Sequence, residues 1–228
     1  MLKTEPQRAL SITIPNVDVW SNVNFGTYFA PFDNPDSELK IEGSIVEDVV
    51  LLTSKIDLGF SRYKKLKSVT FLNDVTIARK STFSGCVGLE NVVFLGECNN
   101  IVEYMFSGCS SLKNVTLPNN LQTISECAFY SCRNLAQISI PTTVKKILNT
   151  AFWGSNILDV HIYDLSSWCK MQVGTQALGE NVKNLYLCGI RQEYLLIPSD
   201  VTTIPSNSFY KFNFKAVSIP DTVKYIYD

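Results

Sequence analysis

A single histidine, His161, serves all 228 residues, and the seven cysteines include no C-x-x-C pair. Tetrahedral zinc sites draw on Cys and His at close spacing, so this scarcity argues against a zinc site. Long apolar runs are also missing. Stretches such as Val49-Val-Leu-Leu52 fall far short of the roughly 20 residues needed to span a bilayer. Neither sign of charge dominates: 20 Lys and Arg face 21 Asp and Glu, for a net charge of −1. Such a balance creates no long-range field to recruit nucleic acid or an anionic membrane. Glycine-rich phosphate loops are lacking, since Ser84-Gly85 and Ser107-Gly108 are isolated turn glycines. The basic cluster Lys64-Lys65-Leu66-Lys67 is too short for nucleic acid and reads as a solvated edge. The opening Met1-Leu-Lys-Thr-Glu-Pro-Gln-Arg8 has no apolar core, so it is not a signal peptide. The chain is then either cytosolic or trimmed at its start.

What the sequence does contain is a clock. Phe60, Phe83, Phe106, Phe129 and Phe152 are spaced 23 residues apart without drift. A constant period over four intervals means that one structural unit is copied. The clearest copy runs from Leu112 through Val115, Leu117, Pro118, Leu121, Ile124, Ala128 and Phe129 to Cys132. The next repeats it as Leu135, Ile138, Ile140, Pro141, Val144, Ile147, Ala151 and Phe152. Earlier copies give Leu66, Val69, Phe71, Val75, Ile77, Phe83 and Cys86, then Leu89, Val92, Phe94, Cys98, Ile101, Phe106 and Cys109.

Each copy changes period along its length. The L-x-x-V-x-L segment ends in a two-residue alternation, which predicts a short strand with its apolar side turned in. In A-F-x-x-C the Phe and Cys are three apart, as on one helical or 3₁₀ turn. Pro118 and Pro141 stop their strands, because proline cannot donate to a ladder. One unit is thus a closed coil, and a coil cannot bury its apolar side alone. Stacking copies places Val on Val and Phe on Phe in a continuous core.

This frame resembles the BspA-like (type 5) leucine-rich repeat. The resemblance is carried by L-x-x-V-x-L-P and by C-A-F-x-x-C, as in Cys127-Ala-Phe-Tyr-Ser-Cys132. It implies an α/β, β-rich, right-handed solenoid of 23-residue coils. Short parallel strands would line the concave face, and short helical or 3₁₀ turns the convex face. The whole chain, 1–228, reads as one solenoid, with regular coils at 56–157 and 195–228.

Two irregular units, 10–55 and 158–201, interrupt or flank those coils. Trp20 matches Trp168 at an offset of 148, and Leu39-Lys-Ile41-Glu-Gly43 matches Leu185-Tyr-Leu187-Cys-Gly189 at 146. Asp164-Leu-Ser-Ser-Trp168-Cys169 and Asn184-Leu-Tyr-Leu187-Cys-Gly189 resemble a special unit of the same family. Each unit is expected to hold a short amphipathic helix around its Trp, a loop, then a strand and turn. The tryptophans are read as anchors of the bulge. The last coil stops at Ile226-Tyr-Asp228, before its A-F-x-x-C turn, and predicts a fragment of a longer array.

Candidate sites follow. Cys86, Cys109 and Cys132 recur 23 apart and are expected to form a column of buried free thiols. His161 is expected on an outward strand position as a solvated surface residue. The strand face offers Lys67, Ser68, Thr70, Glu90, Asn91, Val93, Lys113, Asn114, Thr116, Gln137, Ser139, Asp159 and His161 as its outward positions. Small, polar and mixed in charge, they suit either recognition of a large partner or an inert, spacer-like face. No catalytic residue, cofactor or metal ligand is expected. The family resemblance implies a non-enzymatic adhesion module of a surface or secreted protein. Its partner would be a protein or glycoprotein, with no nucleic acid, no membrane insertion and possible end-to-end self-association. The reduced-looking cysteines and missing leader favour the alternative, an intracellular interaction scaffold in the cytoplasm.

Overall fold

A computed structural model of the protein describes residues 11–14, 16, 32, 34, 36–52, 55–56, 59–77 and 79–227. Its chain winds into stacked coils joined by hydrogen bonds on three sides. On the first side, Asp48–Leu51, Ser68–Phe71, Asn91–Phe94 and Asn114–Thr116 form a parallel sheet. The register puts Val69 beside Val92 and Val92 beside Val115. Within Ser68–Phe71, Val69 and Phe71 are buried while Ser68 and Thr70 face outward, as strand alternation demands. On the second side, Asn100–Ile101, Thr123–Ile124, Lys146–Ile147 and Gln172–Val173 form another parallel ladder.

The third side carries the Phe column. Successive rings from Phe60 to Phe152 lie 5.6, 5.6, 5.3 and 5.0 Å apart, nearly parallel. All five are fully buried, and each such burial stabilises the fold by about 1.5–3 kcal/mol. The amides of Phe106 and Phe129 donate to the carbonyls of Ala128 and Ala151, each at 2.8 Å. The thiols of Cys86, Cys109 and Cys132 donate to the carbonyls of Phe60, Phe83 and Phe106 at 3.0, 3.2 and 3.1 Å. In the next coil the hydroxyl of Ser155 takes over that role toward Phe129, at 2.8 Å. These cysteines therefore bond each coil to its predecessor as well as packing.

The convex side is built of short turns, as expected. A-F-x-x-C forms hydrogen-bonded turns rather than helices, and Leu165–Lys170 is the one α-helix among the described residues. Left-handed residues stand just before and within the motif, with φ of 53° at Cys127 and 57° at Ser131. A right-handed helix cannot propagate through such positions.

Proline sets strand length. The Asn114–Thr116 and Gln137–Ser139 strands, whose segments run into Pro118 and Pro141, have three residues. The Ser68–Phe71 and Asn91–Phe94 strands, followed by Leu72 and Leu95, have four.

Both irregular units contain a hairpin. Glu38–Ile41 pairs antiparallel with Ser44–Ile45, and Asn184–Leu187 with Ile190–Arg191. The turn residues Glu42 and Gly43 have φ of 50° and 82°, and Cys188 and Gly189 have 49° and 80°. Two positive φ values in succession are what a two-residue hairpin turn of matching twist requires. The predicted helix around Trp168 is Leu165–Lys170, capped where Asp164 accepts the Ser167 amide at 2.8 Å. Trp168 is buried, and its indole donates to the Ser208 carbonyl at 2.9 Å, which ties the unit to the following coil. The corresponding Trp20 lies outside the described residues. The first unit is tied down by Tyr63, whose buried hydroxyl donates to the Val46 carbonyl at 2.8 Å.

Candidate functional site

The outward positions of the main strands form a surface that the coils hold in register. Lys67, Lys113, Asn114, Thr116, Gln137 and Ser139 are exposed there. Ser68, Thr70, Glu90, Asn91, Val93, Asp159 and His161 are half-buried by their neighbours one coil away. Because the register is exact in parallel ladders, like positions touch. The Asn114 amide donates to Asn91 at 2.8 Å, and Lys113 pairs with Glu90 at 2.9 Å. That lysine holds the Glu90 carboxyl below its ordinary range. Asn184 bonds Asp159 at 2.7 Å in the same way.

The thirteen predicted positions are not on one sheet. Hydrogen bonds run from Asp48–Leu51 to Asn114–Thr116 and then stop. A second sheet begins at Gln137–Ser139 and continues through Asp159–Ile162 to Asn184–Leu187. Gln137, Ser139, Asp159 and His161 therefore belong to a different sheet from the rest. Identical strand frames, L-x-x-V-x-L-P and L-x-x-I-x-I-P, flank the break, so no strand signal marked it.

His161 points outward as expected, but it is not a solvated surface residue. Its ring stacks on Tyr186 with centroids 4.5 Å apart, and its Nε2 is buried without a hydrogen-bond partner. The cause is the hairpin strand Asn184–Leu187, whose Tyr186 lies beside His161 in the register.

An apolar row was also missed. Val50, Leu52, Leu72 and Leu95 are 52%, 47%, 43% and 64% exposed. Leu52, Leu72 and Leu95 follow from the register: Leu51, Phe71 and Phe94 align across the sheet, so the residues after them align too, while Val50 lies beside Thr70. The signal was present as apolar residues at positions that other copies fill with Pro118 and Pro141.

The thiols are placed for packing and bonding. Burial pushes Cys86 up to about 12 and Cys169 up to about 11, and raises Cys109 and Cys132 above the ordinary thiol range. At neutral pH these groups are protonated, whereas the thiolate is the nucleophile. Cys188 alone is exposed among the seven, all of which are free. Among the described residues no group of His, Cys, Asp and Glu could hold a metal ion. No helix there is long and apolar enough to cross a membrane.

Parallel strands, a buried Phe column and turns closing each coil define a leucine-rich-repeat solenoid. The family profile described as the BspA type leucine rich repeat region matches residues 55–164 and 182–228 in six copies, and the chain belongs to that family. The unmatched stretch 165–181 holds the helix of the second irregular unit. No curated protein matches the chain. A leucine-rich repeat protein from Bacteroides ovatus is similar in structure, with a TM-score of 0.50 at 19% identity over 95% of this chain and 62% of that one. A leucine-rich repeat protein from Eubacterium ventriosum gives 0.39 at 20% identity, over 52% and 45% of the two chains. A leucine rich cell surface protein from Faecalibacterium prausnitzii gives 0.40 at 19%, over 81% and 66%. The chain thus spans 45% to 66% of the lengths of these structures.

Proposed function

We propose that the chain is a non-enzymatic protein-binding and adhesion module of a bacterial-type surface or secreted protein, recognising a large protein or glycoprotein through its repeat surface. The observation that carries this reading is the outward strand face itself. Its Lys113–Glu90 and Asn114–Asn91 pairs are already ordered, so a partner would meet less entropic resistance there. Beside them the exposed Leu52, Leu72 and Leu95 offer apolar area to bury. Membership in a family typical of bacterial surface proteins supports display.

The test is a surface plasmon resonance screen against purified extracellular glycoproteins and glycans. Native chain is compared with Leu72→Asp, Leu95→Asp and Lys113→Glu, each first shown to melt like the native protein. Binding that the face variants weaken at least about tenfold, or 1.4 kcal/mol, is expected. Binding unaffected by all of them would place recognition elsewhere and sink the reading. The free thiols support a second reading, an intracellular interaction scaffold. Protease accessibility on intact source cells separates the two.

A further inference from the structure

Between Asn114–Thr116 and Gln137–Ser139 the stack is open on one side only. In the intact ladders two consecutive amides share one carbonyl of the previous coil: Lys113 and Asn114 donate to Glu90, and Leu158 and Asp159 to Ala136. The equivalent bonds from Ala136 and Gln137 to Lys113 do not form, and no strand pairing joins these two strands among the described residues. The other two sides of the same coils stay closed. Thr123–Ile124 pairs with Lys146–Ile147, and the Phe129 amide reaches Ala151. The Phe129 and Phe152 rings are the closest pair in their column, at 5.0 Å. The two coils therefore form a wedge, tight at the Phe column and open at the main strands.

Two cavities of about 500 and 250 Å³ fill that opening and share Val115, Thr116 and Ser139. Val115 is half-buried, although its column neighbours Val69 and Val92 are fully buried and Ile138 is 2% exposed. The apolar column is interrupted there, between Val115 and Ile138. Continuing the ladder pattern across the gap turns the N–H and C=O of Val115 toward one wall, and those of Gln137 and Ser139 toward the other. The buried, unpartnered Nε2 of His161 lies along the smaller cavity.

We propose that this opening is a slot for one extended polypeptide strand, inserted between the two sheets. Backbone donors and acceptors at strand spacing on both walls are met fully only by another backbone. Strand alternation then assigns the side chains of the occupant. One would point inward and fill the column between Val115 and Ile138, which suits a β-branched residue such as Val or Ile. Its neighbours would lie among Asn114, Thr116 and Ser139, which suits small polar residues. The occupant is thus a short segment of the form polar–(Val/Ile)–polar in an extended stretch of a partner protein. The proposal takes from the protein-binding reading only the class of that partner; the open ladder stands without it.

Amide hydrogen exchange on the native chain comes first. Val115, Leu117, Gln137 and Ser139 are expected to exchange faster than Val69 and Val93, which sit in closed ladders. Random twelve-residue peptides are then selected by display, and the winners are remade as synthetic peptides and with alternate backbone nitrogens methylated. Selected peptides should slow exchange at Val115 and Ser139, and methylation of ladder-facing nitrogens should weaken binding about tenfold per bond lost. Equal protection of Val115 and Val93 in the free protein would show the ladder closed and overturn the slot. No selectable peptide, or peptides indifferent to methylation, would overturn it too. In those cases glycoprotein binding impaired by Leu95→Asp would leave the face reading standing while the slot falls.

Discussion

Replacing Phe129 with alanine removes a ring that two coils share. The side chain is fully buried, with Phe106 at 5.3 Å on one side and Phe152 at 5.0 Å on the other. Both neighbours are held by their own backbone bonds to adjacent coils, so they cannot collapse into the space. A cavity then adds to the lost transfer free energy, and the cost should be about 3–5 kcal/mol. Two stacking contacts of roughly 0.5–1.5 kcal/mol each lie within that figure. Followed by circular dichroism in urea, with a slope of about 2 kcal/mol/M, the midpoint should fall by roughly 1.5–2.5 M. Phe209 is the control: it is half-buried and meets Phe214 edge-on at 6.0 Å, so its truncation should cost less than about 2 kcal/mol. If Phe129→Ala cost no more than Phe209→Ala, the column would not be the core, and the reasoning behind the stack would be refuted.

Other outcomes follow from single contacts. Gly96→Ala should destabilise strongly, because the added Cβ would lie 2.1 Å from the backbone carbon of Asn73; a melt unchanged within about 0.5 kcal/mol would contradict that approach. Trp168→Phe should cost about 1–3 kcal/mol by leaving the buried Ser208 carbonyl without its donor, measured by urea unfolding, while a neutral result would free the second irregular unit from that anchor. In thiol labelling of the native chain only Cys188 should react promptly, with Cys86, Cys109 and Cys132 silent until unfolding. Those buried thiols have folded pKa values raised above the ordinary 9.0, Cys86 to about 12. Their contribution is therefore fully present below pH about 9 and is lost as pH climbs toward the folded values, because unfolding releases the protons. Melts from pH 7 to 11 should show a falling Tm, and a Tm flat to pH 11 would mean that the thiols are not buried as described.

Recurrence made much of this molecule legible. The 23-residue interval places Phe on Phe and Cys on Cys, since a copied unit can only stack in register. Alternation in Ser68–Phe71 named Val69 and Phe71 as buried and Thr70 as outward, because successive strand residues face opposite ways. The recurrence of Gly43 and Gly189 marked both turns for the same local reason, a need for positive φ, while the antiparallel strand after each turn was not read. Where an interaction joined residues with no common period, the reading failed. Nothing adjacent to His161 in sequence announces Tyr186, and nothing near Tyr63 announces Val46.

Sequence alone determined the coil: its length, its inward side chains and the column each one joins, all local consequences of backbone period. Tertiary structure alone decided how neighbouring coils tilt. The strands at Val115 and Ile138 share one frame, yet each pairs with its other neighbour and the ladder opens between them. That angle is a compromise among three separate contact lines, the main strands, the second ladder and the Phe column. No single segment encodes the balance between them.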